Sequence, residues 1–200
     1  MISKDRYEIL KARYGDVSSW AIWKEPGQSP RSNTGDMSVF DHPDLLEVLN
    51  PNIVFVGLNA SSTHGSRRDG RWYPWMNFHS DYARQNDYKL RYALMGTPLW
   101  GAYITDVIKR YPEVDSSKVR KMLSNEPDFV RKNVNDLLEE IHILTPDLPV
   151  LAALGEYTYS ILKKNLPDYY KIIPLWHYSA MIGKEDYRAL VLRRFEENGI

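Results

Sequence analysis

Apolar residues along the chain follow two spacings, and the alternation of the two predicts the fold. Nearly continuous apolar runs, typical of parallel strands buried on both faces, occupy 52–57, 101–108, 149–155 and 171–179. Apolar residues at helical spacing occupy 4–13, 42–50, 80–94, 128–144, 157–165 and 184–197. Strands separated by helices predict a parallel sheet with helices on both faces. We therefore expect one three-layer α/β/α domain over residues 1–200, with a four-stranded, mainly parallel central sheet.

The residues that end the predicted strands are the first candidates for a site. In parallel sheets, ligands bind beyond the carboxyl ends of the strands. The first strand runs into IVFVGLNASS, residues 53–62, which places Asn59 two residues past a glycine. Asp106, Gly155 and His177 hold the corresponding positions at the next three strands. We expect these side chains to converge at one edge of the sheet.

Composition narrows the classes of function. The chain has 26 basic and 26 acidic residues, for a formal net charge of zero, so any binding of nucleic acid must depend on a local basic patch. It has no cysteine, which excludes disulfides, thiolate nucleophiles, cysteine-ligated zinc and iron–sulfur clusters. No apolar run approaches the roughly 20 residues of a membrane span, and the first residues lack the apolar core of a signal peptide. These features predict a cytoplasmic protein without a membrane partner.

Common catalytic motifs do not occur in the sequence. Neither G-x-G-x-x-G nor G-x-x-x-x-G-K-[ST] is present, so the usual phosphate cradles are missing. The segment GLNAS differs from the G-x-S-x-G elbow because Asn59 occupies the nucleophile's position, and an amide cannot attack a carbonyl. The five histidines show no metal-ligand spacing. We expect no cofactor and no metal.

Four sequence blocks occur at or near the ends of the predicted elements: VGLNAS at 56–61, YITDVIK at 103–109, VLAALGEYTYSIL at 150–162 and WHYSA at 176–180. Taken in order, these blocks resemble the motifs of the uracil-DNA glycosylase superfamily. They follow the family's order and roughly its spacing, and together they cover about 52 to 196. Residues 1–50 have no counterpart, and we expect them to form an extension packed on the domain. The resemblance implies the family's fold and hydrolysis of the N-glycosidic bond of a damaged or mismatched base.

The resemblance implies catalytic roles for Asn59 and His177. In the family, the residue at the position of Asn59 orients water toward the anomeric carbon, with Gly57 and Leu58 beside the substrate. His177 would donate a hydrogen bond to the carbonyl oxygen of the leaving base, where negative charge develops. Alternatively, Asn59 caps a helix or forms a turn, and His177 is structural. Ser179 would bind a phosphate beside the flipped nucleotide, or it is an ordinary turn residue.

A flipped base also needs an aromatic platform. In the family this platform follows the first motif, and here RWYPWMNFH, residues 71–79, occupies that place. Phe78 is the first candidate for stacking and Trp75 the second, although either side chain would also suit a core position.

Contacts to DNA are the last feature that the resemblance implies. Met181 occupies the place of the apolar wedge that the family inserts into the duplex. The remaining predicted contacts, including a local basic patch, are Ser61, Arg67 and Arg68. Such a patch is alternatively an ordinary solvated loop. DNA, single- or double-stranded, is therefore the expected partner, and the sequence implies no particular oligomeric state.

Three residues depart from the family's pattern. Ala60 and Tyr178 stand where relatives have proline, which removes a fixed φ angle from each turn. Asp106 stands where relatives have an asparagine that reads the base edge with one donor and one acceptor. An ionised carboxylate only accepts, so Asp106 would suit an edge that presents donors, or would bind backbone amides or an arginine. Recognition of uracil is therefore less credible than recognition of a purine or a modified base, or than a site that binds no base.

Two other functions stay open. The departures and the neutral charge favour a protein that binds nucleic acid or a nucleotide but has lost efficient catalysis. A hydrolase of a free nucleoside or other small glycoside would need no DNA-binding patch. A binding protein would hold its ligand but release no free base. Added salt sets the small-glycoside hydrolase apart from a protein that acts on DNA, because contacts to DNA phosphates weaken steeply with salt.

Overall fold

Strands alternate with helices through most of the computed structural model, which describes residues 1–60, 73–80, 82, 85–111, 113 and 115–200. In chain order the elements are α1 (Lys4–Tyr14), β1 (Ser19–Trp20), a 3-10 helix (Met37–Asp41), α2 (Leu45–Val48), β2 (Asn50–Asn59), α3 (Asp87–Leu94), β3 (Ala102–Ile108), α4 (Ser116–Asn125), α5 (Pro127–Leu144), β4 (Val150–Leu154), α6 (Glu156–Asn165), β5 (Ile172–Leu175) and α7 (Lys184–Glu196).

The strands form one mixed sheet of five strands in the order β1-β3-β2-β4-β5. β3, β2, β4 and β5 pair in parallel and are the strands that the apolar runs predict. The predicted total of four strands is wrong, because β1 adds an antiparallel edge strand beside β3. With two residues, β1 is too short to show a period in the sequence. The general α/β class is confirmed.

Helices cover both faces of this sheet. Successive residues of a strand point to opposite faces. Val54 and Val56 of β2 join a core cluster with residues of α1, α5 and α6, whereas Ile53 and Phe55 join a second cluster with residues of α3 and α7. Burial on both faces explains why these strands are continuous apolar runs instead of alternating ones.

Two predicted helices are shorter in the structure. The helix predicted over 42–50 is limited to Leu45–Val48, because Asn50 already begins β2. The helix predicted over 80–94 begins only at Asp87. In the sequence, helical spacing extends beyond Val48 in the first helix and begins before Asp87 in the second. After Val48, pairing of Asn50 with the neighbouring strand overrides this local preference.

The last predicted strand is also shorter, and this matters for the site. It was expected over 171–179 but ends at Leu175. The chain then turns, and the Ala180 N–H donates to the carbonyl oxygen of His177 at 2.9 Å. His177 therefore lies on a loop beyond the strand.

The first fifty residues contribute to the sheet and support the region around the strand ends. β1 pairs with β3. The carbonyl oxygen of Gly15 accepts from the Trp75 N–H at 2.7 Å, and the carbonyl oxygen of Val17 accepts from Asn77 Nδ2 at 2.7 Å. The N-terminal region thus holds segment 73–80 in place.

Candidate active site

A cavity of about 630 Å³ opens at the carboxyl ends of the parallel strands. The structure brings together the four residues that were predicted at the strand ends. One residue at or just beyond the end of each parallel strand lines this cavity. These residues are Asn59, Asp106, Gly155 and His177, and Leu58 and Ser179 line it as well.

Local hydrogen bonds fix the protonation of His177. The Ser179 N–H donates to His177 Nδ1 at 3.2 Å, and the Ser179 hydroxyl lies 2.6 Å from the same nitrogen. Burial lowers the pKa of His177 to about 4, so the ring is neutral near pH 7. Because Nδ1 accepts, the single ring hydrogen lies on Nε2. The imidazole is therefore a neutral donor.

Side-chain contacts hold the loop that carries His177. Tyr178 in this loop stands where the glycosylase motif has a proline. The Tyr178 ring stacks on the His177 ring with centroids 4.3 Å apart. Lys89 of α3 donates from Nζ to the carbonyl oxygen of Ala180 at 2.9 Å. These contacts restrict the loop in place of a fixed φ angle.

Asn59 is oriented by the chain that follows β3. Its Nδ2 donates to the carbonyl oxygens of Tyr111 and Glu113, at 3.1 and 2.9 Å. Two carbonyl partners require the nitrogen on that side, so Oδ1 remains as an acceptor. Asn59 is the last residue of β2, and the residues of any helix that it would cap lie outside the described part of the chain.

Asp106 is buried, and its partner is an amide. It is 3% exposed, and Oδ2 accepts from Asn77 Nδ2 at 3.1 Å. Burial raises its pKa to about 7, so the prediction of a fully ionised carboxylate needs correction. Gly57 pairs with Asp106 across β2 and β3. Gly57 is not part of the cavity wall; it lies beneath the carboxyl group.

A second buried carboxyl group, which sequence reasoning missed, lies on the same cavity. Asp87 is the first residue of α3 and lines the cavity. Burial raises its pKa to about 6, while hydrogen bonds from the Ser80 N–H and the Tyr178 hydroxyl lower it. In the sequence Asp87 is typical of an acidic residue in a first helical turn, so no local signal marks it.

Phe78 and Trp75 have opposite placements. Phe78 lines the cavity, and its Cζ lies 3.7 Å from the position that a Cβ on Gly57 would take. Trp75 is 1% exposed and donates from Nε1 to the Tyr7 hydroxyl at 2.8 Å. Both residues have a positive φ, which is uncommon for aromatic residues. Trp75 is thus a core residue, whereas Phe78, although 8% exposed and packed in the core cluster that contains Ile53 and Phe55, also lines the cavity.

Of the four predicted DNA contacts, Met181 lies within the described residues and the other three lie outside them. Met181 is fully exposed in the loop after β5, and Trp176 in the same loop is 56% exposed. Arg120 of α4 adds a basic side chain to the cavity wall. The contacts that lie outside the described residues are Ser61, Arg67 and Arg68.

Other features and the comparisons with known proteins add no further assignment. Across the described part of the chain, no group of three or more His, Asp or Glu side chains is arranged to hold a metal ion. Within the same ranges, no helix is both long and apolar enough to cross a lipid bilayer. No protein-family model and no curated protein matches the chain.

Proposed function

We propose that this chain has a uracil-DNA glycosylase-like fold and hydrolyses the N-glycosidic bond of a damaged or mismatched base in DNA. The observation that carries the proposal is the state of His177, a neutral ring with its hydrogen on Nε2, on a cavity shared with Asn59. A fixed neutral donor stabilises charge on a departing base without first having to gain a proton.

The reaction needs one water and no cofactor. The bond between the sugar C1′ and the base nitrogen breaks, and its electron pair leaves with the base. His177 Nε2–H donates to a carbonyl oxygen of the base, where that charge develops. Asn59 Oδ1 accepts a hydrogen bond from the water and orients it toward C1′, because an amide has no usable basicity. Water oxygen bonds to C1′, its proton passes through solvent to the base, and the products are the free base and an abasic sugar.

Three further features support the proposal. β3, β2, β4 and β5 are adjacent and parallel, as the resemblance implies. Phe78 lies on the cavity wall, where an aromatic ring can stack on a flipped base. Met181 is exposed, as an apolar side chain that inserts into a duplex must be.

The test is base release from labelled single- and double-stranded oligonucleotides that carry uracil, mismatched thymine, hypoxanthine or xanthine. We expect release by the wild type and a loss of about 10²–10³-fold in His177→Ala and in Asn59→Ala. His142→Ala and Asn52→Ala are matched controls, because both residues are exposed and away from the cavity. Circular dichroism checks that each variant folds.

The outcomes separate the proposal from its main alternative. Release that survives both cavity substitutions would contradict the assigned roles. Binding of DNA without release of any base would instead support a nucleic-acid binding protein that keeps the cavity but lacks catalysis.

A hydrolase of a free nucleoside or small glycoside is the second candidate, and the buried carboxyl groups favour it. Asp87 and Asp106 both line the cavity with raised pKa values, near 6 and 7, and paired carboxyl groups serve as acid and base in many glycosidases. Cleavage of 2′-deoxynucleosides that is insensitive to salt and lost in Asp87→Asn would favour this function, since DNA-dependent cleavage weakens steeply with salt.

A further inference from the structure

The position of Asp106 is fixed by the backbone beneath it. A Cβ on Gly57 would lie 2.2 Å from Asp106 Oδ1, so the carboxyl group occupies the space that the missing side chain leaves. The ring of Phe78 borders the same space. A base that stacks on Phe78 would therefore present an edge to the Asp106 carboxyl group.

Asn77 determines which oxygen of Asp106 accepts. Its Nδ2 has two hydrogens, one for Asp106 Oδ2 at 3.1 Å and one for the carbonyl oxygen of Val17 at 2.7 Å. Oδ2 is thus the carbonyl oxygen of a neutral carboxyl group, because that oxygen is the better acceptor. The acid hydrogen then lies on Oδ1, which leaves one donor and one acceptor.

The groups that face Asp106 do not hold it in the ionised form. Among the residues that the structure describes, Lys109 is a nearby cation that lowers its pKa, but Lys109 Nζ is already paired with Glu140 of α5 at 2.6 Å. Glu140 itself raises the pKa of Asp106. From the loop after β5 comes Tyr178, which interacts with both Asp106 and Asp87 of α3. β2 contributes only a glycine at this point.

We propose that neutral Asp106 selects a base whose edge presents a ring N–H beside a carbonyl oxygen, an oxo base such as uracil or hypoxanthine. Oδ1–H donates to the carbonyl oxygen, and Oδ2 accepts the ring N–H. The ionised form accepts twice and instead suits a ring N–H beside an amino group, as in guanine. This inference rests on the proposed function for the place of the base in the cavity. It makes base selection depend on pH, with Asp106 as the specificity-determining residue.

The test measures binding of 2′-deoxyuridine and 2′-deoxyguanosine by calorimetry between pH 5.5 and 8.0. A group that titrates near pH 7 is about tenfold less protonated at pH 8 than at pH 5.5, so we expect wild-type affinity for deoxyuridine to fall about tenfold over that range. Affinity for deoxyguanosine is expected to rise. His177, with a pKa near 4, does not titrate there.

Variants assign the response to one carboxyl group. Asp106→Asn keeps one donor and one acceptor, so it is expected to bind deoxyuridine equally well at every pH and to bind deoxyguanosine poorly. Asp186→Asn, an exposed carboxyl group in α7, serves as the matched control. Asp87→Asn is expected to retain the response near pH 7. As a check without any variant, one carboxyl carbon resonance of the wild type is expected to titrate near pH 7 and to shift with deoxyuridine.

The inference is overturned if Asp106→Asn keeps the wild-type pH response, if wild-type binding does not change with pH, or if neither nucleoside binds. The expected binding pattern without any base release would remove the glycosylase proposal and leave this inference standing. Base release with binding that does not depend on pH would do the reverse.

Discussion

Asp106 and Glu140 are two buried acidic side chains on opposite sides of β3, and their surroundings differ in kind. Glu140 accepts hydrogen bonds from the hydroxyl groups of Tyr103 and Thr105 on β3. It also pairs with Lys109 at 2.6 Å. Among the described residues, the hydrogen-bond donor to the Asp106 carboxyl group is the Asn77 amide, and Asp106 lines the cavity. A paired buried charge belongs to the framework, whereas a buried acid without its own cation is typical of a functional site.

The largest expected effect comes from breaking the framework pair. Lys109→Met removes the cation that pairs with Glu140, at a site where both side chains are 2% exposed or less. We expect the free energy of unfolding to fall by about 3–5 kcal/mol, measured by denaturant unfolding at pH 7. Lys118→Met, at an exposed lysine, is the control. The double variant Lys109→Met/Glu140→Gln should recover much of the loss; a single variant as stable as wild type would show that the pair is not part of the framework.

For Asp106, on the cavity side of β3, we expect substitution to raise the free energy of unfolding at high pH instead of lowering it. The folded-state pKa of Asp106, about 7, lies above its ordinary 3.8, so its contribution to stability is complete below pH 3.8 and is lost as pH rises through 7. Asp106→Asn removes this loss. At about 1.4 kcal/mol per pKa unit, the stability of the variant relative to wild type should increase by about 4 kcal/mol between pH 4 and pH 8.

His177 and Asp87 also titrate, but they affect both proteins alike. His177 has a lowered pKa, so its contribution to stability increases as pH rises from about 4 to 6.5. Asp87, with a raised pKa, acts in the same sense as Asp106. The comparison of Asp106→Asn with wild type therefore isolates one group. A difference that stays constant with pH would contradict the raised pKa.

A smaller effect should follow from filling the space under Asp106. In Gly57→Ala the new Cβ overlaps Oδ1, which we expect to cost about 1–3 kcal/mol of stability. In Gly57→Ala/Asp106→Ala most of that cost should disappear, since the overlapping atom is gone. Gly183→Ala, whose Cβ would meet its nearest atom at 3.4 Å, is the control. Equal losses in the single and double variants would mean that the clash lies elsewhere.

The smallest effect on stability is expected at the exposed loop. Met181 is fully exposed, so Met181→Ala should change the free energy of unfolding by less than about 0.5 kcal/mol. If Met181 enters the duplex, the substitution slows base release from double-stranded DNA and leaves release from single-stranded DNA unchanged. The ratio of the two rates is the measurement, and an equal change in both would remove the wedge role.

Local patterns in the sequence predict much of the fold. The helix expected over 128–144 is found as Pro127–Leu144, because its apolar spacing runs through five turns. The four apolar runs are all strands, so the residues at their ends meet at one edge of the sheet. In contrast, β1 and the start of α3 depend on pairing and packing with distant segments and have no local signal.

The candidate site shows the same division. Phe78 and Trp75 belong to one aromatic segment, and the sequence offers no reason to separate them. Both are buried in the structure, but of the two only Phe78 also lines the cavity. Asp87 looks like an ordinary acidic residue at a helix start until Tyr178, far along the chain, is placed beside it.

The sequence by itself determined the parallel strands and the polar residues that end them, because both follow from the spacing and identity of neighbouring residues. Only the tertiary structure decided the chemical state of those residues. Whether Asp106 holds a proton, and which nitrogen of His177 does, depends on burial and on partners that come from other parts of the chain, such as Asn77 for Asp106. A pKa is set by the groups around it in space, and the one-dimensional order of residues does not contain those distances.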